Sequence, residues 1–361
     1  MLFPFLHVII IFMKQQNDYY RKYRIYNSNK KQKKGCLHSL ILFPFKLLAL
    51  ALVLALLCCA LLYVLPVNFF TLVPADTNLS LTTGLPSDRV NILLLGLDYP
   101  EDNIQRSDAM LVASLSKDDL RLSSLMRDTL VTLPGRDKQN KLNAAYAYGG
   151  GEVAMQAVNE TFGLNITRYA AINFNALVDI VDALGGIELE IQENEIEWIN
   201  VYAKRTFKKI YVQNPDKYEH YLQSTEMTEP GTYTLDGLFA TAYTRIRYAD
   251  SDYGRANRQR KVLTAVLKKL KEKMYDPRIY VKLVEIYTQS VDTNIPFYEL
   301  ISFGEKLLGI DSVETYRAPA DAYISDNGSS LTVTDSEGMI AELRKFIYGG
   351  SNYVGRTALS E

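Results

Sequence analysis

Leu47–Phe70 is an almost unbroken apolar run, LLALALVLALLCCALLYVLPVNFF. A helix needs roughly 20 apolar residues to cross the hydrocarbon core of a bilayer. This stretch can therefore span, and it divides the chain into parts that fold in different solvents. Lys46 stands at its edge, where it can snorkel. Upstream lie Lys14, Arg21, Lys22, Arg24, Lys30, Lys31, Lys33 and Lys34, opposed only by Asp18. That imbalance predicts a cytoplasmic N-terminus and an outward-facing remainder. No small-x-small cleavage site follows the run, and Leu57 rather than a small residue precedes Cys58. The expectation is an uncleaved, single-pass anchor in the cell membrane.

The expected organisation is a basic cytoplasmic arm (1–46), a transmembrane helix (47–70) and a linker with Pro, Gly, Ser and Thr (71–89). An extracytoplasmic domain (90–275) and a C-terminal extension packed on it (276–361) complete the chain. Nine of the 40 basic residues but one of the 41 acidic ones precede residue 75, so the outer part carries 31 against 40. A surface that acidic is a poor general binder of nucleic acid, and any cluster of arginines in it is a local pocket. The three cysteines are Cys36, Cys58 and Cys59, so the outer part has no disulfide and must hold together by core burial, for which roughly 290 residues suffice. Histidine is as scarce: only His220 follows the apolar run. A Ser-His-Asp triad or a His-rich zinc site is thereby nearly excluded. The chemistry must run on carboxylates and arginines, with or without a metal.

Short apolar runs predict strands at Val90–Leu97, Ala109–Leu115, Leu120–Met126, Thr129–Leu133, Arg168–Phe174 and Ile187–Ile191. Helical periods predict helices at Glu152–Phe162, Asn175–Leu184, Ala256–Lys273 and Asp335–Tyr348, with two short helices over Pro277–Ile310. Gln192–Thr228 is charged and tyrosine-rich without a clear period, and reads as a surface excursion. Leu235–Tyr248 reads as a helix into Ala242 followed by a strand that sets Arg245 and Arg247 on one face. The alternation predicts an α/β fold, an αβα sandwich around a central mixed β-sheet, preceded by the one transmembrane helix.

The chemistry is concentrated in Arg245-Ile-Arg247-Tyr-Ala-Asp250-Ser-Asp252-Tyr-Gly-Arg255-Ala-Asn-Arg258-Gln259-Arg260. Two distant echoes are Arg106-Ser-Asp108 and Arg127-Asp128-Thr129. Guanidinium is a planar donor fork that stays charged and fits phosphate in a bidentate way. Aspartate is the ligand that Mg²⁺ prefers when a phosphate shares the ion. Any one Arg-x-Asp is an ordinary surface salt bridge. The combination is more specific, because Asp98, Arg106, Asp108 and Arg127 all sit at predicted strand ends, which gather at one sheet edge. Arg258 and Gln259 at a helix N-terminus would add donors to an anion seat. Gly149-Gly150-Gly151 lacks the Lys-Ser/Thr ending of a P-loop and reads as a helix-entry turn. Asp252, between the arginines, is the candidate base for a hydroxyl proton, the alternative being an ion pair that fixes Arg255.

The chain resembles the LytR-CpsA-Psr family of cell-wall ligases in NILLLGLD (91–98), RSDAMLVASL (106–115), LMRDTLVTLPG (125–135), KLNAAYAYGG (141–150), VDALGGIEL (181–189) and LDGLFATAYTRIRYADSDYGRANRQRKVL (235–263). Met126 and Ala109 depart from the family's usual Pro and Thr, and the stretch after Pro277 matches only loosely. The resemblance implies a membrane-bound phosphotransferase. It moves an anionic glycopolymer, of teichoic acid or capsule type, from an undecaprenyl-pyrophosphate carrier to peptidoglycan, forming a phosphodiester to N-acetylmuramic acid. By motif match it implies that Asp98 and Asp108 hold Mg²⁺ and that Arg106, Arg127, Arg245, Arg247, Arg255 and Gln259 bind the pyrophosphate. Arg106 and Arg127 then act with Asp252 in catalysis. The alternatives are a hydrolase of the pyrophosphate-linked lipid, with water as acceptor, and a membrane-bound transcriptional attenuator or regulator of cell-wall processes. The cytoplasmic arm shows no DNA-binding fold.

Overall fold

Val90–Leu97 forms β1, mostly buried, inside a six-stranded mixed sheet. The computed structural model describes residues 78–98, 105–247, 252–273, 275–310 and 312–349. The basic arm and the apolar run Leu47–Phe70 lie outside the described residues, and among those described no helix is long and apolar enough to cross a membrane.

Strands β2 (Ser107–Leu115) and β3 (Leu120–Leu125) follow β1 as an antiparallel meander. A small hairpin, β4 (Leu130–Thr132) with β5 (Gln139–Lys141), leads into helix α1 (Ala145–Phe162). Next come β6 (Arg168–Asn173), α2 (Phe174–Leu184) and β7 (Ile187–Ile191). They are followed by α3 (Glu193–Gln213), β8 (Gly231–Leu235), α4 (Gly237–Arg245) and α5 (Asp252–Glu272). The last third holds α6 (Pro277–Ser290), β9 (Val291–Thr293), α7 (Phe297–Leu308), β10 (Val313–Ala318), the pair β11 (Ile324–Asp326) and β12 (Leu331–Val333), and α8 (Ser336–Tyr348). The sheet order is β10-β3-β2-β1-β6-β9, so residues after Pro277 supply both edge strands.

Period-two alternation along β1 sorts its side chains to two faces. Leu93, Leu95 and Leu97 pack with Met155, Val158 and Phe162 of α1 and with Leu343 and Phe346 of α8. Ile92, with Ala113, Leu115 and Leu122, packs against Phe303 and the partly buried Leu263 and Leu267 of α5. Helices thus cover both faces of the sheet. A third core joins α2, α3 and α4 through Val178, Val181, Ile199, Tyr202, Leu238 and Tyr243. The triple glycine is a kink in α1: Gly150 has φ 64°, and a Cβ on Gly151 would meet the Tyr169 ring at 2.2 Å.

Two expectations are corrected. The presumed surface excursion contains α3, 21 residues long. Its buried residues Ile199, Tyr202, Ala203, Thr206 and Ile210 recur at helical spacing, but a tyrosine and a threonine occupy stripe positions where aliphatic residues give the usual signal. The Glu195 carboxylate accepts from the Gln192 amide at 3.1 Å and fixes the entry. The expected strand carrying Arg245 and Arg247 is absent. Helix α4, capped by Asp236 accepting from the Phe239 amide at 2.9 Å, runs on to Arg245 and breaks at Ile246 (φ −57°, ψ 125°). Burial of Phe239, Ala240, Ala242 and Tyr243 on a helix overrides the β preference of the Tyr-Thr pair.

Candidate functional site

The register between β1 and β2 shifts where Gly96 faces Ala109 but Leu97 faces Ser107. Asp108 is the extra residue of this β-bulge, and the pairing resumes with the Asp98 amide donating to the Arg106 carbonyl at 3.1 Å. Bulges bend the strand and re-aim side chains beside functional sites. Here the Asp108 Oδ2 atom receives three guanidiniums: Arg127 at 2.9 Å, Arg247 at 2.6 Å and Arg255 at 3.3 Å. Each comes from a different place. Arg127 follows β3, Arg247 lies beyond the end of α4, and Arg255 sits in the first turn of α5. Asn143 adds a long contact, its Nδ2 lying 3.5 Å from Asp108 Oδ1.

Arg127 also meets Asp128 at 3.2 Å, and Lys141 meets the other oxygen of Asp128 at 2.7 Å. Four cations and two carboxylates thus share one locality. Asp108, Met126, Arg127, Asp128, Arg255 and Gln259 line a pocket that opens to solvent. Arg255 is 5% exposed, and its Nε and Nη1 are buried without a hydrogen-bond partner. Buried donors of that kind are normally satisfied, and an oxyanion in the pocket would satisfy them. Burial raises the Asp108 pKa, but attraction to Arg255, Arg127 and Arg247 outweighs it and holds the carboxyl below its ordinary value of 3.8. Burial, with repulsion from Arg127 behind it, pushes Arg255 down to about 10.

That shift has a measurable consequence. Arg255 keeps its proton below pH 10 and loses it as pH rises through about 10, where an ordinary guanidinium would remain charged. The unfolded chain then holds the extra proton, so this group favours folding more as pH rises while the site loses a cation. Affinity for an oxyanion of constant charge, such as sulfate, is expected to fall as pH rises through about 10, and Arg255→Gln should abolish that limb. Calorimetric titration across this range checks it; a flat wild-type profile would refute the assignment.

The structure brings together Asp108, Arg127, Arg247, Arg255 and Gln259 of the predicted set. Arg106 is exposed beside Asp98, on the strand pair that carries Asp108. Arg245 donates to the Thr206 hydroxyl at 2.9 Å, with its guanidinium 4.4 Å from the ring centre of Phe174, the residue after the β6 end that pairs with the end of β1. Asp252 opens α5, but its side chain, like Asp250, lies outside the described residues. Arg258 is not part of the anion seat. It is buried, donating to Glu195 at 3.2 Å and to the Ile246 carbonyl at 3.0 Å, and so fixes the turn that delivers Arg247. Sequence reasoning missed Asn143 and Lys141; the KLNAAYAYGG match held both, but neither carries a motif of its own.

Asp98 and Asp108 are hard oxygen donors on neighbouring strands, and no cluster of three or more His, Cys, Asp or Glu occurs among the described residues. Two carboxylates suit an ion whose remaining ligands are water and phosphate oxygens, not an all-protein cage.

A family model, that of the LytR_cpsA_psr family, matches residues 74–344. Biofilm regulatory protein A of Streptococcus mutans is 32% identical over 273 residues, covering 70% of this chain and 62% of that protein. The polyisoprenyl-teichoic acid–peptidoglycan teichoic acid transferase TagU of Enterococcus faecalis is 37% identical over 187 residues, 50% of this chain and 53% of its own length. The chain therefore spans less than two thirds of these curated relatives. Among solved structures, TagT bound to LI-WTA superimposes with a TM-score of 0.56 at 25% identity, covering 72% of this chain and 90% of that one.

Proposed function

Because the chain belongs to the LytR-CpsA-Psr family, we propose that it is a membrane-anchored phosphotransferase. Its donor is an anionic glycopolymer, of teichoic acid or capsule type, on undecaprenyl pyrophosphate. Its acceptor is a muramic acid hydroxyl of peptidoglycan. One observation carries this reading: three guanidiniums converge on one carboxylate oxygen, and the most buried of them still has two donors without a partner. That surplus suits a ligand rich in oxyanions. The names of TagU and TagT, a transferase acting on polyisoprenyl-linked teichoic acid and a protein bound to LI-WTA, support it.

In this reaction the acceptor hydroxyl attacks the phosphorus that carries the sugar. The new P–O bond forms as the bond to the bridging oxygen breaks, and undecaprenyl phosphate leaves with the bonding pair. Such transfers depend on positioning and charge stabilisation. Arg127 and Arg255 hold non-bridging oxygens from the pocket wall, with Gln259 as a neutral donor. Arg247, exposed at the mouth, neutralises the departing phosphate, and Arg106 does the same from the β1–β2 side. Arg245, with its guanidinium 4.4 Å from the Phe174 ring centre, adds a further cation for the pyrophosphate. Asp252 takes the hydroxyl proton. Mg²⁺ held by Asp98 and Asp108 would further neutralise the pyrophosphate.

The test uses the full-length protein in detergent with a polyprenyl-pyrophosphate-linked saccharide, Mg²⁺ and a peptidoglycan oligomer. Mass spectrometry should find a saccharide phosphate on muramic acid, absent with Arg247→Ala. Carrier cleavage without adduct would replace the transferase with a hydrolase. Tight lipid binding with no turnover would favour a regulator.

A further inference from the structure

Two further arginines lie past the pocket toward the edge of the sheet. Ser124 lines the pocket on β3, and its hydroxyl accepts from Arg260 Nη1 of α5 at 2.9 Å. A serine that accepts one bond still has its own proton to donate. In the parallel pair β3–β10, Arg317 stands opposite Ser124. Neighbours in register share a face, so Arg317 is on the side of the sheet that α5 covers. It lies one strand, about 5 Å, beyond the Ser124 wall.

The two arginines are unequally provided for. Arg317 pairs with Asp321 at 2.8 Å, but Asp321 is 71% exposed, where water screens it. Arg260 has no acid within ion-pair distance among the described residues, and its Nε is buried without a partner. Burial lowers the pKa of both, Arg317 to about 10, and Arg317 lowers that of Arg260 further. Neither guanidinium belongs to the Asp108 cluster, and packing alone would be served by an uncharged side chain.

On the transferase reading above, we propose that Arg260, Arg317 and the Ser124 hydroxyl form a second oxyanion seat. It binds the next anionic group of the glycopolymer, a phosphodiester or carboxylate, beyond the pyrophosphate. The polymer then leaves the pocket across β3 and β10, and the seat selects donors whose first units carry negative charge.

The experiment compares inorganic pyrophosphate with a linear polyphosphate several units long, titrated into the full-length protein in detergent. The wild type should bind the longer anion about tenfold more tightly, the difference one charge-assisted hydrogen bond makes. Arg317→Gln and Arg260→Gln should each lose that gain and keep the pyrophosphate affinity. Arg317→Lys should retain most of it. A gain that survives both glutamine variants would overturn the seat. Failure of the wild type to bind pyrophosphate would instead overturn the transferase reading. Thermal melts identify a variant that does not fold, in which case the other glutamine variant decides. In transfer assays Arg317→Gln should raise KM for a phosphate-bearing donor and not for a neutral one. A rise confined to the KM of a carboxylate-bearing acceptor would overturn the polymer assignment and give the seat to peptidoglycan.

Discussion

Arg255→Gln should lower transfer about 100- to 1,000-fold, the loss typical of removing one fixed donor from a transition-state oxyanion, and should leave the melting temperature unchanged or higher. The two halves of this expectation have one cause. Arg255 is buried beside Arg127 and Arg247, all on one oxygen of Asp108, and two of its donors lack a protein partner. Without ligand, that arrangement is repulsive and under-satisfied; with a pyrophosphate, it is complementary. Removing Arg255 relieves repulsion, while Asp108 keeps Arg127 at 2.9 Å and Arg247 at 2.6 Å. Sites assembled for charged ligands often trade stability for activity in this manner. Calorimetry on wild type and variant, beside the adduct assay, measures both halves. Full turnover in the variant would remove Arg255 from the reaction. A large drop in melting temperature would make it a scaffold residue instead.

The chemistry was legible in the sequence further than its geometry. Strands β1 and β7 have the limits that their apolar runs predict, because both are short, buried and closed by polar or glycine residues. Asp108, Arg127, Arg247 and Arg255 are recognisable as residue types suited to pyrophosphate. What brings them together is a bulge of one residue at Asp108 and a helix break at Ile246. Neither has a local signature: the bulge depends on the pairing partner, and the break on burial of α4. The same limit applies to Arg258. Its charge reads as an anion ligand, but its partner Glu195 is 63 residues away, at the start of a helix whose stripe is partly aromatic and polar. Edge strand β9 lies in the weakly patterned segment after Pro277, and only sheet pairing identifies it.

Arg121→Ala should cost roughly 3–5 kcal/mol, the usual result of removing one partner from a buried charged network. Arg121 is 1% exposed in β3, and its alternation with Leu120 and Leu122 gives no hint of a special role. Its Nε meets Asp119 at 2.9 Å. Its Nη1 donates to the carbonyls of Phe346 at 2.6 Å, Ile347 at 3.2 Å and Gly349, at the C-terminal end of α8. The last carbonyls of a helix have no partner within it and carry partial negative charge. Arg121 therefore caps α8 from another element and ties the final helix to the sheet. Alanine would leave those carbonyls buried and unsatisfied and open a cavity beside Phe346, whose ring faces the guanidinium at 6.0 Å. At about 2–4 °C per kcal/mol for a domain of this size, the melting temperature should fall by on the order of 10 °C. Amide exchange should accelerate first in α8, before the strands of the central sheet. A shift of a degree or two, with α8 still protected, would mean that the packing of Met339, Leu343, Phe346 and Ile347 holds the helix without its cap.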